Sequence, residues 1–466
     1  MTPALAPWQL RAAFAARMAE TYGHEVPAYR TLVEVANAVN ADVLVRDGAG
    51  AERLGSIARV TAERHGAIRV GTARELAQVA RIFAALGMYP VGFYDLRDTA
   101  RSAVPVLSTA FRPVAAAELA RNPFRMFTSM LVTDDRRFFS AELQARLDAF
   151  LARRILFPPE LIVLSDKAIA DAGLGADDTE TFLKLATGAF ELSAEPVDRS
   201  WYRELEAVSA VAADIGGTSS THINHLTPRV LDIDELYRRM SQRGIRMIDT
   251  IQGPPRWGGP DVLLRQTSFR ALAEQRMFRA PDGSMSAGSL RVRFGEVEAR
   301  GIALTPAGRD RYDAMLAEVD RRLAGAEGAS RQDVAAAVWD ERMPADESGL
   351  LGEQLAFFSY AAGDPARAES GATLIALVEA GALSVTPIVY EDFLPRSAAG
   401  IFQSNLTAEG TRDSSVEGSR RDAGWLSDVI GAAVADPVEL YAAQQQASLR
   451  AALASLPGHP GDPGAG

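Results

Sequence analysis

Apolar residues recur at helical spacing over residues 8–22 and 29–39, with a turn around Gly23 and Pro27 between them. The chain is therefore expected to open on two amphipathic helices. A polar stretch, 47–55, leads to HGAIRVGT at 65–72, whose alternation predicts a strand with His65, Ala67 and Arg69 on one face. Thr72 followed three places later by Glu75 is a capping box. Leu76, Val79, Phe83 and Leu86 then trace a helical stripe that Gly87 is placed to end. Residues 89–94 return as a strand, completing a strand–helix–strand unit.

A second such unit begins within THINHLTPR, 221–229. Ile223, Leu226 and Thr227 favour a strand, and Pro228 opposes a continuing helix. On a strand, His225, Thr227 and Arg229 share one face, while His222 and Asn224 share the other. A helix over 234–243 with Leu236 and Met240 inward, a stop at Gly244 and a returning strand over 245–251 complete the unit. Each unit has an arginine four places after its histidine, Arg69 after His65 and Arg229 after His225. This weak repeat singles out His225; the task expected of His222 is structural or supporting.

Helical spacing over 140–153, 177–190 and 202–213 marks residues 134–213 as a helical insertion. LLRQTSF at 263–269 leads toward a strand at 290–300, followed by helices over 309–323 and 330–340. A strand at 383–390, a polar loop at 407–424 and a closing helix at 438–453 finish the ordered chain. The division expected is 1–133 (N-terminal helices and first unit), 134–213 (insertion), 214–310 (second unit), 311–456 (a helical and strand region completing the site) and 457–466 (a disordered tail).

Composition narrows the chemistry. At 466 residues the chain exceeds the size at which one core stops growing, so more than one module is expected. The net charge of −11 opposes nucleic-acid and membrane-surface binding, though a local arginine can still hold an anionic substrate. There is no cysteine, which removes disulfides, thiolate nucleophiles, iron–sulfur clusters and zinc–thiolate sites together. Any metal must be held by His, Asp and Glu. The apolar run 372–390 contains Glu379, Gly381 and Pro387, so it is not a membrane span. No secretory signal is visible, and the cytoplasm is the expected compartment.

Of five histidines, His24 falls in a loop and His459 in the tail. In SLRVRFGEVEARG, Leu290, Val292 and Phe294 form an apolar face that Glu296 continues, with Glu298 on the same face as the fallback. A carboxylate on such a face is costly to bury unless it is paired or bound to a metal. Two histidines at matching positions of two like units plus one late glutamate make the facial two-histidine, one-carboxylate set of non-haem iron(II) oxygenases. On an octahedral ion that set leaves three positions, two of which a 2-oxo acid can fill through its keto oxygen and carboxylate. His65 and Arg69 lie roughly 13 Å apart at their Cα atoms, a span that suits a diacid.

ERHGAIRVGT, STAFRP, RNPFRMFTS, HINHLTPRVLDID, QGPPR, LLRQTSF, FGEVEARGIALTP and YEDFLPRSAAGIFQSN resemble the 2-oxoadipate dioxygenase/decarboxylase family, from about Phe14 to Asn405. The resemblance implies an α+β fold of the vicinal oxygen chelate type, in which paired βαβββ units form an incomplete barrel, here with helical insertions. It also implies Fe(2+) and conversion of 2-oxoadipate and O2 to D-2-hydroxyglutarate and CO2 in lysine catabolism. Carried over, the metal ligands fall on His65, His225 and Glu296. The substrate contacts fall on His65, Arg69, Gln266 of LLRQTSF, and Arg396 or Ser397 of FLPRS. No catalytic residue is implied beyond the ligands. Where the family has a small apolar residue this chain has Arg396, which bears on chain-length preference. Two alternatives compete: a metal-dependent lyase or isomerase of glyoxalase type on a small 2-oxo acid, and a catalytically silent binding protein.

Overall fold

A computed structural model of the protein describes residues 4–98, 103–271, 273–291, 293–325, 328–369, 371–394 and 418–456. Its strands are β1 (Arg64–Val70), β2 (Tyr89–Asp95), β3 (Val106–Arg112), β4 (Arg125–Leu131), β5 (Val197–Asp198), β6 (His225–Pro228), β7 (Leu264–Ser268), β8 (Glu274–Arg279), β9 (Met285–Leu290), β10 (Glu296–Arg300), β11 (Phe358–Ala362) and β12 (Leu383–Pro387). The fold is mixed α+β, with several small sheets and no closed barrel among the described residues.

The central sheet has the order β2-β3-β4-β1-β6. β1 runs parallel to β4 and antiparallel to β6. Alternation along β1 divides two environments. Ile68 and Val70 enter a hydrophobic cluster with Phe111, Met126 and Leu226, covered by the helices Pro7–Glu25, Pro27–Asp47 and Ala73–Ala85. His65, Ala67 and Arg69 face the other way, where Ala67 packs in a second cluster with Tyr94 and Phe127. Gly66 lies on the crowded side: a Cβ there would come within 2.5 Å of the Met126 sulfur. The helix after β1 starts at the expected box, with Thr72 Oγ1 accepting from Glu75 N and Thr72 N donating to the Glu75 carboxylate. It ends at Gly87, whose φ of +67° suits a residue without Cβ.

The second unit repeats the order of connections in frayed form. β6 is followed by the helix Ile233–Gln242, then β7 and β10 pair antiparallel, and Arg229 bridges Glu298 in parallel. The returning strand expected over 245–251 shrinks to isolated bridges, Met247 to Phe269 and Gln252 to Gln266. Met247 and Ile248 are adjacent and both buried, so the backbone keeps no period of two. The prolines 254 and 255, which follow, have no amide to donate.

The strand expected over 290–300 is also broken. β9 ends at Leu290 in an exposed hairpin with β8, and β10 begins at Glu296 in the buried pair with β7. Just before β10, Gly295 lies so close to the Phe269 ring that no side chain fits there.

The region 134–213 is mostly helical, with Ala141–Arg153, Pro159–Ala170, Ala176–Gly188 and Arg199–Glu206; the single helix expected over 202–213 is broken, Arg199–Glu206 ending before Ala210–Gly216 begins. The helix Pro437–Leu453 packs on β11, where Phe358 N donates to Gln445 Oε1. Arg396, Ser397, most of the polar loop at 407–424 and the tail at 457–466 lie outside the described residues. No helix of the described residues is long and apolar enough to cross a membrane.

Candidate metal centre

β1, β6 and β10 converge so that one ligand atom each from His65, His225 and Glu296 lie within 4.8 Å of one another, all three residues buried. His65 Nε2 is 3.4 Å from Glu296 Oε1, and His225 Nε2 is 3.7 Å from Glu296 Oε2. The rings stand perpendicular, with centroids 5.2 Å apart. Phe294 stacks on His225, and the Phe393 ring meets His65 edge-on at 5.0 Å.

Each histidine is anchored through its other nitrogen. His65 Nδ1 lies 2.8 Å from Glu298 Oε2, an ion-pair contact not aligned as a hydrogen bond, and His225 Nδ1 is hydrogen-bonded to Thr227 Oγ1 at 3.0 Å. Anchoring Nδ1 in this way leaves the Nε2 lone pairs directed at the shared point. Glu298, the fallback at sequence level, therefore sits behind His65 and not beside Glu296. Arg300 grips it with two hydrogen bonds of 2.8 and 2.9 Å. The remaining Arg300 amine donates to the carbonyls of Tyr390 and Asp392.

Behind this pair lies a buried lattice. Glu63 binds Arg125 and Arg229, and Glu391 binds Arg125 and Arg59. Arg229, expected to share the His225 face as a possible counterpart of Arg69, belongs to this lattice. Burial alone would raise the Glu298 pKa, but Arg300 and His65 outweigh it and hold it well below the usual carboxylate range. Burial would lower His65, and Glu298 and Glu296 reverse that, so its pKa is raised. His225 has no carboxylate anchor, and burial pushes it well below its usual value. Burial raises Glu296, against the pull of His65.

This donor set fits a divalent cation. Two imidazole nitrogens and one carboxylate oxygen meet at one point, each imidazole has a partner behind it, and a buried Glu296 with no arginine within ion-pair distance among the described residues would gain from a positive ion.

Arg69 faces away from the helices, as alternation requires, and its Nη1 lies 2.5 Å from Asp214 Oδ2. Asn224 Nδ2 donates to the same oxygen at 3.0 Å, and His222 Nε2 is 3.4 Å from Asp214 Oδ1. This corrects the face assignment of His222 and Asn224. Both turn toward the carboxylate that holds Arg69, on the side of the sheet that carries the site. The alternation argument failed because 221–224 is not strand, so the period of two does not carry through it. Burial lowers the His222 pKa to about 4, with Asp214 opposing.

Gln266 pairs with Glu298 across β7 and β10 and so shares its face; it is buried, and its Oε1 has no hydrogen-bond partner among the described residues. Asp214, Thr227 and Arg300 were not singled out from the sequence. For Asp214 the signal was present, a lone acid in the apolar helix AVAADIG. Arg300 continues the face of Glu296 and Glu298, a cation two places past two buried acids.

Comparison with known proteins adds a family. A model of the family described as 2-oxoadipate dioxygenase/decarboxylase matches residues 14–405. The chain is 57% identical over 446 residues to a 2-oxoadipate dioxygenase/decarboxylase of Mycobacterium tuberculosis, covering 95% of this chain and 98% of that one. It is 40% identical to the protein of that name from Pseudomonas putida, covering 97% and 98%. Among solved structures, the hydroxyglutarate synthase of Pseudomonas putida in complex with 2-oxoadipate matches with a TM-score of 0.81 and 37% identity, over 97% of this chain and 99% of that one.

Proposed function

The chain belongs to the 2-oxoadipate dioxygenase/decarboxylase family, and from that premise we propose that it is an iron(II) enzyme converting 2-oxoadipate and O2 to D-2-hydroxyglutarate and CO2, in lysine catabolism and in the cytoplasm. The observation that carries the metal part is the meeting of His65, His225 and Glu296 at one buried point. One molecule of 2-oxoadipate and one of O2 contain the same atoms as the two products, so no outside reductant is required.

His65, His225 and Glu296 hold the ion, which when bound supplies Lewis acidity toward the 2-oxo acid and the electrons that activate O2. The protein's own residues orient and enclose. Glu298 and Thr227 fix the two imidazoles, and Phe294 and Phe393 wall them against water. Arg69, four residues along the face of His65, receives the far carboxylate through a planar two-pronged grip. Asp214, already bound to one of its amines, aims it. Gln266 offers its buried amide to the substrate from beside Glu298, and Arg396 or Ser397 completes the contact.

We read the paired units as an incomplete barrel of the vicinal oxygen chelate type, a reading supported by the shared order of connections. The divisions at 133, 213 and 310 are part of the same proposal, although 213 falls within the helix Ala210–Gly216 and 310 within the helix Pro306–Ala324. The test is an oxygen-electrode trace on anaerobically iron-loaded protein. One O2 consumed and one CO2 released per 2-oxoadipate, with chiral analysis giving the D product, is the expected result. Retained iron with no oxygen uptake overturns the reading.

A further inference from the structure

A cavity of about 560 Å³ opens where the helical region meets the β8–β9 hairpin, and its lining includes Asp214 and His222. Its volume falls within the ~300–1,000 Å³ range of small-molecule sites. Through Asp214 it reaches the Arg69 end of the site rather than the metal end. Phe150 and Trp201 wall one side, and Arg276, Arg279 and Leu290 the other.

The charges in this cavity are unevenly satisfied. Its three acids are engaged: Glu195 accepts from Ser219, Asp198 caps the helix Arg199–Glu206, and Asp214 holds Arg69. Arg276 is half-buried and, among the described residues, its side chain makes no ion pair and no hydrogen bond. Residues 274, 276 and 278 are the covered positions of β8, so Arg276 points inward with Phe278. The neighbouring acid Glu274 is gripped by Arg293. Burial pulls the Arg276 pKa down, the mark of a desolvated cation whose cost is not recovered by a close partner.

We propose that this cavity is the entry vestibule for the dicarboxylate substrate, and that Arg276 is the cation that captures its far carboxylate before Arg69 receives it. The proposal rests on the reading of the site as one for a 2-oxo diacid. The chain's net charge of −11 repels a dianion at long range, so a cation at the mouth raises the encounter rate where the net field lowers it. An arginine in a low-dielectric wall does this better than one in open solvent.

Arg276→Gln removes the charge and keeps much of the shape. It is expected to lower kcat/KM for 2-oxoadipate roughly five-fold at low ionic strength, with kcat and iron content unchanged. The wild-type kcat/KM should fall with added salt, and the variant's should fall less. Arg276→Lys should recover most of the salt-dependent part. A 2-oxo monoacid of equal length should lose less. Equal kcat/KM and equal salt slopes in wild type and Arg276→Gln overturn the proposal.

A second measurement separates this from a failure of the proposed activity. Trp201 lines the cavity, so adipate added to anaerobic protein should perturb tryptophan fluorescence, and Arg276→Gln should weaken the apparent affinity. If 2-oxoadipate is never turned over, the proposed function falls while this titration still decides the vestibule. Identical adipate binding in both proteins overturns the vestibule even if turnover is normal.

Discussion

The two strand units meet at the β1–β6 pair but present their histidines by opposite means. His65 stands in a regular ladder, yet what orients its ring is Glu298 from the other unit, clamped by Arg300 inside a lattice of buried charges. His225 sits in a four-residue strand, oriented by Thr227 of that same strand and by the stacked Phe294. The electrostatic outcome diverges accordingly, with His65 raised and His225 lowered. The ladder places the Cα atoms; the partner of the second ring nitrogen decides how the first is offered. A frayed unit can therefore serve as well as a regular one.

The contrast can be broken most severely at the ligands. His225→Ala should abolish iron retention and turnover, because two remaining donors hold a divalent ion weakly. His222→Ala should keep iron, since that ring reaches Asp214 and not the triad. Metal analysis after anaerobic loading and desalting checks both, and iron lost from His222→Ala but kept by His225→Ala would reverse the assignment.

Next come the two anchors. Glu298→Gln keeps the shape and removes the charge behind His65, so iron affinity should drop by about 10–100-fold. Thr227→Val removes only a neutral hydroxyl behind His225 and should cost about 1 kcal/mol, or roughly five-fold. Competition with a chelator measures both, and a larger effect at Thr227 than at Glu298 would sink the comparison. Arg300 is the riskier target, because opening a buried ion pair costs about 3–5 kcal/mol of stability.

Arg69 sharpens the distinction between the proposed metal end and the proposed substrate end. Arg69→Ala should leave iron occupancy near wild type while kcat/KM for 2-oxoadipate falls roughly tenfold or more, a loss of about 1.5–3 kcal/mol. A 2-oxo acid without the second carboxylate should lose much less, and Arg69→Lys should rescue in part, having the charge without the fork. Equal losses on both substrates would make the Asp214 pair a structural salt bridge and nothing more.

The smallest effect is on acid stability. His222 has a folded pKa of about 4 against an ordinary 6.5, so the unfolded chain takes up its proton first. The contribution of neutral His222 is therefore present above about pH 6.5 and is lost as pH falls toward 4. In His222→Asn the drop in stability between pH 7 and pH 5, followed by urea unfolding, should be shallower than in wild type. An identical drop would locate the acid sensitivity elsewhere.

What could be read without the structure was local. The β1 alternation that put His65 and Arg69 on one face, the Thr72–Glu75 box, the stops at Gly87 and Gly244 and the helices of 134–213 all follow from neighbours within a few residues, where periodicity and capping act. The matched histidines of two like units pointed to His65 and His225 because the pattern repeats in the chain itself. Contacts across long stretches of sequence decided the rest. Glu296 and Glu298 share a face of β10, and only the packing of that strand beside β6 and β7 puts one toward both histidines and the other behind His65. His222 turned to Asp214 because 221–224 leaves the ladder, and alternation has force only where a ladder holds the backbone. Asp214 took Arg69 as its partner, and Arg300 the carbonyls of Tyr390 and Asp392, from elements distant along the chain, and what surrounds Arg276 comes from such elements too. Their side chains carry no period, so the packing of those elements decided what each of them touches.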